Sequence, residues 1–314
     1  MITISGMAST HRLFTTAAAT ALLLTSAVAC SSTDDTAAPK GDCPVTPVKV
    51  TVSVDQWTDM VKSLAGDCAV VQTVVESTAT DPHEFEPTPA DTAKLTNADL
   101  VVVNGLGYDE WATKAADAAS PQPAVVDAAE ATGRTEGSNP HVWYDPAAQQ
   151  KVAGAVTGAL TKLQPEAATY LQSRSSIWAK DQVPYRQAVD RTSMVAKGRT
   201  YAATEPVAEY LADALGMTDV TPKGFAQAAA NETEPSPGDV TELLEALRTG
   251  KVDVLLVNSQ VEGQLNRQLV AAAKAADVAV LTVTETQPPG TTGFVKWQVF
   301  QLDELAGALQ TAPS

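Results

Sequence analysis

Seven short runs of apolar, largely β-branched residues, separated by helix-compatible stretches, restrict what this chain can fold into more than any other feature. They cover residues 48–54, 69–75, 100–103 and 124–126 in the first half and 200–203, 252–257 and 278–283 in the second. Runs such as 100–103 and 124–126 are continuously apolar, the pattern of strands covered on both faces, and continuous strands separated by helices imply parallel sheets. Helical patterns fall at 56–65, 108–118, 206–215, 237–249, 262–276 and 294–309, with Gly216 and Gly250 placed to end two of them. Thr88-Pro89-Ala90-Asp91 fits a helix start, with Thr88 as N-cap and proline in the first turn. The fold class expected is α/β, as two lobes of related design, and no short-period repeat is present.

Between the halves lies a polar, helix-compatible segment, 165–195, with Tyr170, Leu171, Ile177, Trp178, Val183, Tyr185 and Val189 spread along it. A single helix there would run roughly 40 Å, enough to bridge two lobes. Pro184 is awkward inside a helix, so two shorter helices within one lobe are the alternative. The expected layout is a signal peptide at 1–29, a tether at 30–43, an N-terminal lobe at 44–164, a linking helix at 165–195 and a C-terminal lobe at 196–314.

The signal reading rests on basic His11 and Arg12, an apolar run at 17–24 and small residues leading to Cys30. Ala27-Val28-Ala29-Cys30 resembles a bacterial lipobox, in which the cysteine is lipidated; plain cleavage near Ala29 is the alternative. The polar residues that follow suit a flexible tether. The expected location is therefore outside the cytoplasmic membrane, held to it by lipid on Cys30. In an oxidising compartment the other two cysteines, Cys43 and Cys68, form a disulfide more readily than a metal site, since each precedes a predicted strand. Two separate buried thiols are the alternative. Acids outnumber bases 37 to 21, a net charge of −16, which argues against nucleic acid or an anionic membrane surface as partner. A monomer is expected.

Beyond the signal only two histidines remain, in similar settings: Asp81-Pro82-His83-Glu84-Phe85-Glu86-Pro87 and Asn139-Pro140-His141-Val142-Trp143-Tyr144-Asp145-Pro146. Neutral imidazole beside carboxylates suits a divalent cation, and flanking prolines stiffen the loops. In open α/β sheets ligands bind beyond the carboxyl ends of strands. His83 and His141 follow predicted strands of the first half; Glu205 and Glu285 follow the runs 200–203 and 278–283 in the second. Two ordinary loop histidines are the plainer reading. Trp143 and Phe85 are expected to pack beneath the loops, Asp145 to cap the next helix, and Trp57, Trp111 and Trp297 to lie in the core.

These residues resemble the metal-binding solute receptors of bacterial ABC importers for zinc and manganese. The two histidine motifs are similar to that family's first two ligand loops, and Glu234-Pro235-Ser236-Pro237 to a further landmark; the likeness runs from about Val48 to Leu309. The resemblance implies two α/β lobes joined by a long helix, with the ion in the cleft as cargo for a membrane permease. Carried over residue by residue, it gives His83, His141, Glu205 and Glu285 as ligands of Mn²⁺ or Zn²⁺. Glu205 stands where zinc receptors usually have histidine, Glu285 where the family generally has aspartate, and the long histidine-rich loop of many zinc receptors is missing. Glu84, Glu86 and Asp145 are the reserve ligands. A metallohydrolase using the same residues would need an open coordination position, and the chain has no His-Glu-x-x-His helix or Gly-x-Ser-x-Gly elbow. A surface adhesin is a third reading, as some family members are described so.

Overall fold

The computed structural model describes residues 42–76, 85–261, 263–288 and 290–311. The signal segment, Cys30, most of the tether and the loop residues Asp81, His83 and Glu84 lie outside the described residues. Two four-stranded parallel sheets carry the architecture. The first half of the chain runs β1 (Val48–Val54), α1 (Thr58–Ala65), β2 (Ala69–Val75), α2 (Pro89–Thr96), β3 (Leu100–Val103), α3 (Glu110–Asp117), β4 (Ala124–Asp127), α4 (Ala128–Thr132) and α5 (Ala148–Leu163). Helices α6 (Ala168–Asp181) and α7 (Val183–Ala196) follow. The second half runs β5 (Thr200–Ala203), α8 (Glu209–Ala214), β6 (Thr218–Asp219), α9 (Lys223–Ala230), α10 (Pro237–Arg248), β7 (Val254–Asn258), α11 (Gln264–Ala275), β8 (Ala279–Val283) and α12 (Phe294–Thr311). Strand order is β2-β1-β3-β4 in one sheet and β6-β5-β7-β8 in the other, so both halves follow one winding pattern.

The continuous apolar runs are accounted for by where alternate side chains go. Leu100 and Val102 of β3 join one core cluster, Val101 and Val103 another on the opposite face. On β7, Val254 and Leu256 face one cluster while Leu255 and Val257 face a second. Successive strand side chains point to opposite faces, so both faces must be apolar when both are covered. Val52 and Trp143 from the first half share one cluster with Tyr201, Val283 and Trp297 from the second, which packs the halves together. Burying each such Val or Leu is worth about 1.5–3 kcal/mol. Trp57 and Trp297 are fully buried; Trp111 is only partly buried and packs its ring 4.9 Å from Phe85.

Local signals explain the ends of elements. Thr88 accepts from the Asp91 amide at 3.3 Å while Asp91 Oδ2 accepts from the Thr88 amide at 3.1 Å, a capping box that starts α2. Ser236 caps α10 by accepting from the Asp239 amide at 3.2 Å. Asp145 departs from its expected part: α5 is capped at Ala147, and the Asp145 carboxylate accepts from the Ala147 amide two residues on. Cys43 and Cys68 are joined by a disulfide, with Cα atoms 5.0 Å apart. The pairing of β1 with β2, which sets Val48 against Ala69, brings their starts together.

The segment after α5 is two helices where one long helix is expected. Proline has no N–H, and the Pro184 ring would collide with the carbonyl four residues back, so the first helix stops and the second starts with proline in its first turn, with Gln182 between. The pair still connects the two halves. Arg174 on α6 donates to Ser63 O of α1 (2.9 Å), and Thr192 on α7 donates to Leu302 O of α12 (3.2 Å). The two-residue β6 went unexpected because it is exposed and too short to carry a pattern. Among the described residues, no helix is long and apolar enough to cross a membrane.

Candidate metal centre

The second sheet builds its side of the site almost directly from the backbone. Glu205 stands two residues beyond β5 and Glu285 two beyond β8, while Asn258 is the last residue of β7. Because β7 lies between β5 and β8, Asn258 falls between the two carboxylates. Its amide donates to Glu205 Oε2 at 2.6 Å and to Glu285 Oε1 at 2.8 Å. Gln260 holds the turn after β8 by accepting from the Glu285 and Thr286 amides. Glu285 and Asn258 are each 1 % exposed, and Glu205 is half-buried.

The first half supplies His141 from a loop well beyond β4. Nδ1 donates to Asn139 Oδ1 at 2.7 Å, and this bond fixes the tautomer that keeps the lone pair on Nε2. Nε2 stands 3.5 Å from Glu285 Oε2. Two ligand atoms at Zn–N or Zn–O distances in a tetrahedral shell are separated by about 3.4 Å, so this spacing matches one edge of such a shell. Asn104, just past β3, donates to Pro140 O at 2.8 Å and pins the loop from below. Trp143 is fully buried against the imidazole, ring centroids 5.2 Å apart, as expected of a residue packed beneath the loop.

Tyr108 reaches the site because three consecutive residues before it, Gly105, Leu106 and Gly107, have positive φ. At Gly105 any Cβ would also collide with the Asp127 carboxylate. The buried Asp109 carboxylate braces this turn by accepting from Ser53 Oγ and from the Asn104 and Gly105 amides, and burial pushes its pKa up to about 6. Tyr108 donates to Glu285 Oε2 at 2.9 Å. Burial and the neighbouring carboxylate push the phenol pKa well above its ordinary value, so it stays a donor.

Several bonds cross between the halves at this level. Gln56 donates to Glu285 O (2.6 Å), Tyr144 to Thr284 O (2.8 Å), Asn139 to Pro206 O (2.7 Å) and Tyr210 to Asn139 O (2.9 Å). The structure thus brings His141, Glu205 and Glu285 into one polar cluster. His83 lies outside the described residues, and among those described no set of three or more His, Cys, Asp or Glu is already gathered at metal-holding spacing. Of the reserve ligands, Asp145 pairs with Arg134 and Glu86 is exposed, while Glu84 lies outside the described residues.

The sequence from 50 to 308 matches the family model described as zinc-uptake complex component A, periplasmic. The chain belongs to this family. Its members are solute-binding receptors of ABC importers rather than enzymes. Similar curated proteins include the iron-binding protein YfeA of Yersinia pestis, 26% identical over 86% of this chain and 86% of the relative. The high-affinity zinc uptake system protein ZnuA of Bacillus subtilis is 25% identical over 93% of this chain and 95% of its own length. Among solved structures, a manganese-bound mutant of a periplasmic metal binding protein from Candidatus Liberibacter asiaticus shares the fold: TM-score 0.70 at 20% identity, covering 83% of this chain and 99% of that one.

Asn258, Tyr108, Gln56 and Gln260 were not singled out from sequence. Asn258 left a faint signal, a polar amide closing an apolar strand run at its carboxyl end, where such sheets bind ligands.

Proposed function

We propose that this protein captures one divalent transition-metal ion, Mn²⁺ or Zn²⁺, through His83, His141, Glu205 and Glu285, and delivers it to the permease of an ABC importer. The observation that carries this reading is the convergence of Glu205 and Glu285 on one buried amide, with His141 from the other half of a family member beside Glu285. In this reading lobes 44–164 and 196–314, connected through 165–195, enclose the ion. Lipid on Cys30 holds the protein to the outer face of the cytoplasmic membrane. Two carboxylates give the site more hard oxygen than a three-histidine shell, which moves preference toward Mn²⁺. The stability order still favours Zn²⁺ in raw affinity, so both bind.

The test is metal analysis of protein purified without chelator, followed by competition among Mn²⁺, Zn²⁺ and Fe²⁺. One equivalent of bound metal, with Glu205→Gln weakening every ion, is expected. Substoichiometric metal in the wild type, or unchanged affinities in Glu205→Gln, would overturn the reading.

A further inference from the structure

The Asn139 side chain uses its whole hydrogen-bonding capacity around the loop that carries His141. Its Oδ1 accepts from the His141 main-chain amide at 2.9 Å and from His141 Nδ1 at 2.7 Å. Its Nδ2 donates to Pro206 O at 2.7 Å and to Glu209 Oε2 at 2.6 Å. The orientation of this amide is forced. A main-chain N–H can only donate and the Pro206 carbonyl can only accept, so the amide oxygen faces the histidine and the nitrogen faces the second half. Nδ1 must then carry the proton, because the oxygen it meets offers only lone pairs.

Glu209 is the first residue of α8 and is half-buried. Tyr210 beside it donates to Asn139 O, and the base of this neighbourhood, Arg134, lies over the Tyr210 ring and pairs with Asp145. Among the described residues no base pairs with Glu209. The bond it accepts from Asn139 is charge-assisted, and donating to an anion makes the amide oxygen at the other end a stronger acceptor. A metal-bound imidazole is a more basic ligand when its second nitrogen donates to a strong acceptor, commonly a carboxylate in direct contact. Here an amide stands in that place, with the carboxylate one group behind it.

We propose that Glu209 is a positioning residue for the candidate ligand His141 and acts through Asn139. Its charge polarises the amide, tightens the bond from Nδ1 and strengthens Nε2 as a donor to the ion. The proposal rests on the metal-receptor reading above. Glu209 then supports the affinity for every divalent ion alike without reaching the ion itself. A mere brace that seats the loop on α8 would need an acceptor at this point but no charge.

That difference sets the experiment. Glu209→Gln keeps an acceptor for Asn139 and removes the charge, whereas Glu209→Ala removes both. Mn²⁺ and Zn²⁺ affinities are measured by competition titration. The Nδ1 proton of His141, which is 4 % exposed and so shielded from exchange, is followed by NMR of metal-free protein with isotope-labelled histidine. Its resonance is identified by its loss in His141→Ala. The expected result is about a tenfold loss of affinity for both ions in Glu209→Gln, the low end of the usual cost of losing an outer partner of a metal-bound histidine. Glu209→Ala should lose at least as much, and the Nδ1 proton resonance should move upfield in both variants. Wild-type affinities and an unmoved resonance in Glu209→Gln, with Glu209→Ala impaired, would leave only the brace and overturn the proposal. A tenfold loss with the resonance unmoved would overturn it too, because the charge would then bypass Asn139. A wild type that binds no metal removes the receptor reading as well, whereas tight wild-type binding with an unmoved resonance removes the Glu209 assignment alone.

Discussion

The two sides of the candidate centre are built by different means. On the carboxylate side, Glu205, Asn258 and Glu285 stand at or within two residues of the ends of three adjacent strands, so sheet register brings their backbones together. On the imidazole side, His141 stands on a loop far beyond its strand and is placed by borrowed contacts: Asn104 on Pro140, Asn139 on the ring, and Asn139 and Tyr210 linking the loop to the other half. The candidate carboxylate ligands are placed by sheet register and then held by Asn258 and Tyr108, whereas the imidazole is placed by loop contacts throughout. The loop side is nonetheless firmly seated, since Val142, Trp143 and Tyr144 directly after the histidine are fully buried in the main core cluster.

The sharpest way to break this contrast is to remove the loop ligand. His141→Ala is expected to weaken divalent-ion binding by at least three orders of magnitude, about 4 kcal/mol. Without metal, its melting temperature should stay within a few degrees of wild type, since no strand is touched. Titration and thermal melts measure both, and tight stoichiometric binding by this variant would mean that the loop side contributes no ligand.

A second contrast is covalent. The first sheet carries the Cys43–Cys68 staple at the starts of β1 and β2, across a sequence separation of 25. Cys43→Ser/Cys68→Ser is expected to lose about 3–4 kcal/mol by chain-entropy reasoning, or roughly 6–16 °C of melting temperature for a chain of this size. Metal affinity should be unchanged, because the staple sits at the amino ends of strands whose carboxyl ends face the site. A matching loss of affinity would show that the two ends of the first sheet are coupled.

Asn139 sharpens the comparison further. Asn139→Ala removes the partner of His141 Nδ1 and is expected to weaken metal binding about 10- to 100-fold, the usual cost of losing such an orienting bond. Asn139→Asp keeps the acceptor but loses the bonds to Pro206 O and Glu209 Oε2 and sets like charge against Glu209, so it should recover only part of that loss; equal losses in both would assign the effect to those two bonds instead.

The smallest effect concerns Asp55, whose carboxylate accepts from the Gln287 amide across the halves. Burial, with added repulsion from Asp59 and Glu76, pushes its pKa from 3.8 up to about 7. The charged form is thus the disfavoured one in the folded state. The penalty is absent below pH 3.8, grows between pH 3.8 and about 7, and is complete above that. Asp55→Asn should stabilise the protein at pH 8 by on the order of 1–2 kcal/mol, a few degrees in melting temperature, and by little at pH 4.5. A gain of equal size at both values would separate the effect from ionisation.

The lobed α/β design was legible because doubly covered strands leave an unmistakable run of apolar residues, as at 100–103. Glu205 and Glu285 were legible for a related reason: strand ends can be counted, and acids directly after them stand out. Asn258 was not, because an amide closing a strand looks the same whether it ends the ladder or grips two carboxylates. Tyr108 was hidden by the positive-φ turn before it, whose direction residue types alone do not reveal. The 165–195 segment was legible as helical, and Pro184, whose lost N–H and ring clash impose a break, marked in advance where two helices would replace one.

The bonds from Gln56 to the carbonyl of Glu285, and from Tyr144 to that of Thr284, have a mechanical meaning. The peptide carrying Glu285 belongs to one half of the chain but is gripped by side chains of the other, so it works as a short link between them. His141 stands on the same half as Gln56 and Tyr144, so these bonds tie the Glu285 peptide to the half that carries the imidazole. Separating the halves would therefore have to break these two bonds before it could part Glu285 from His141.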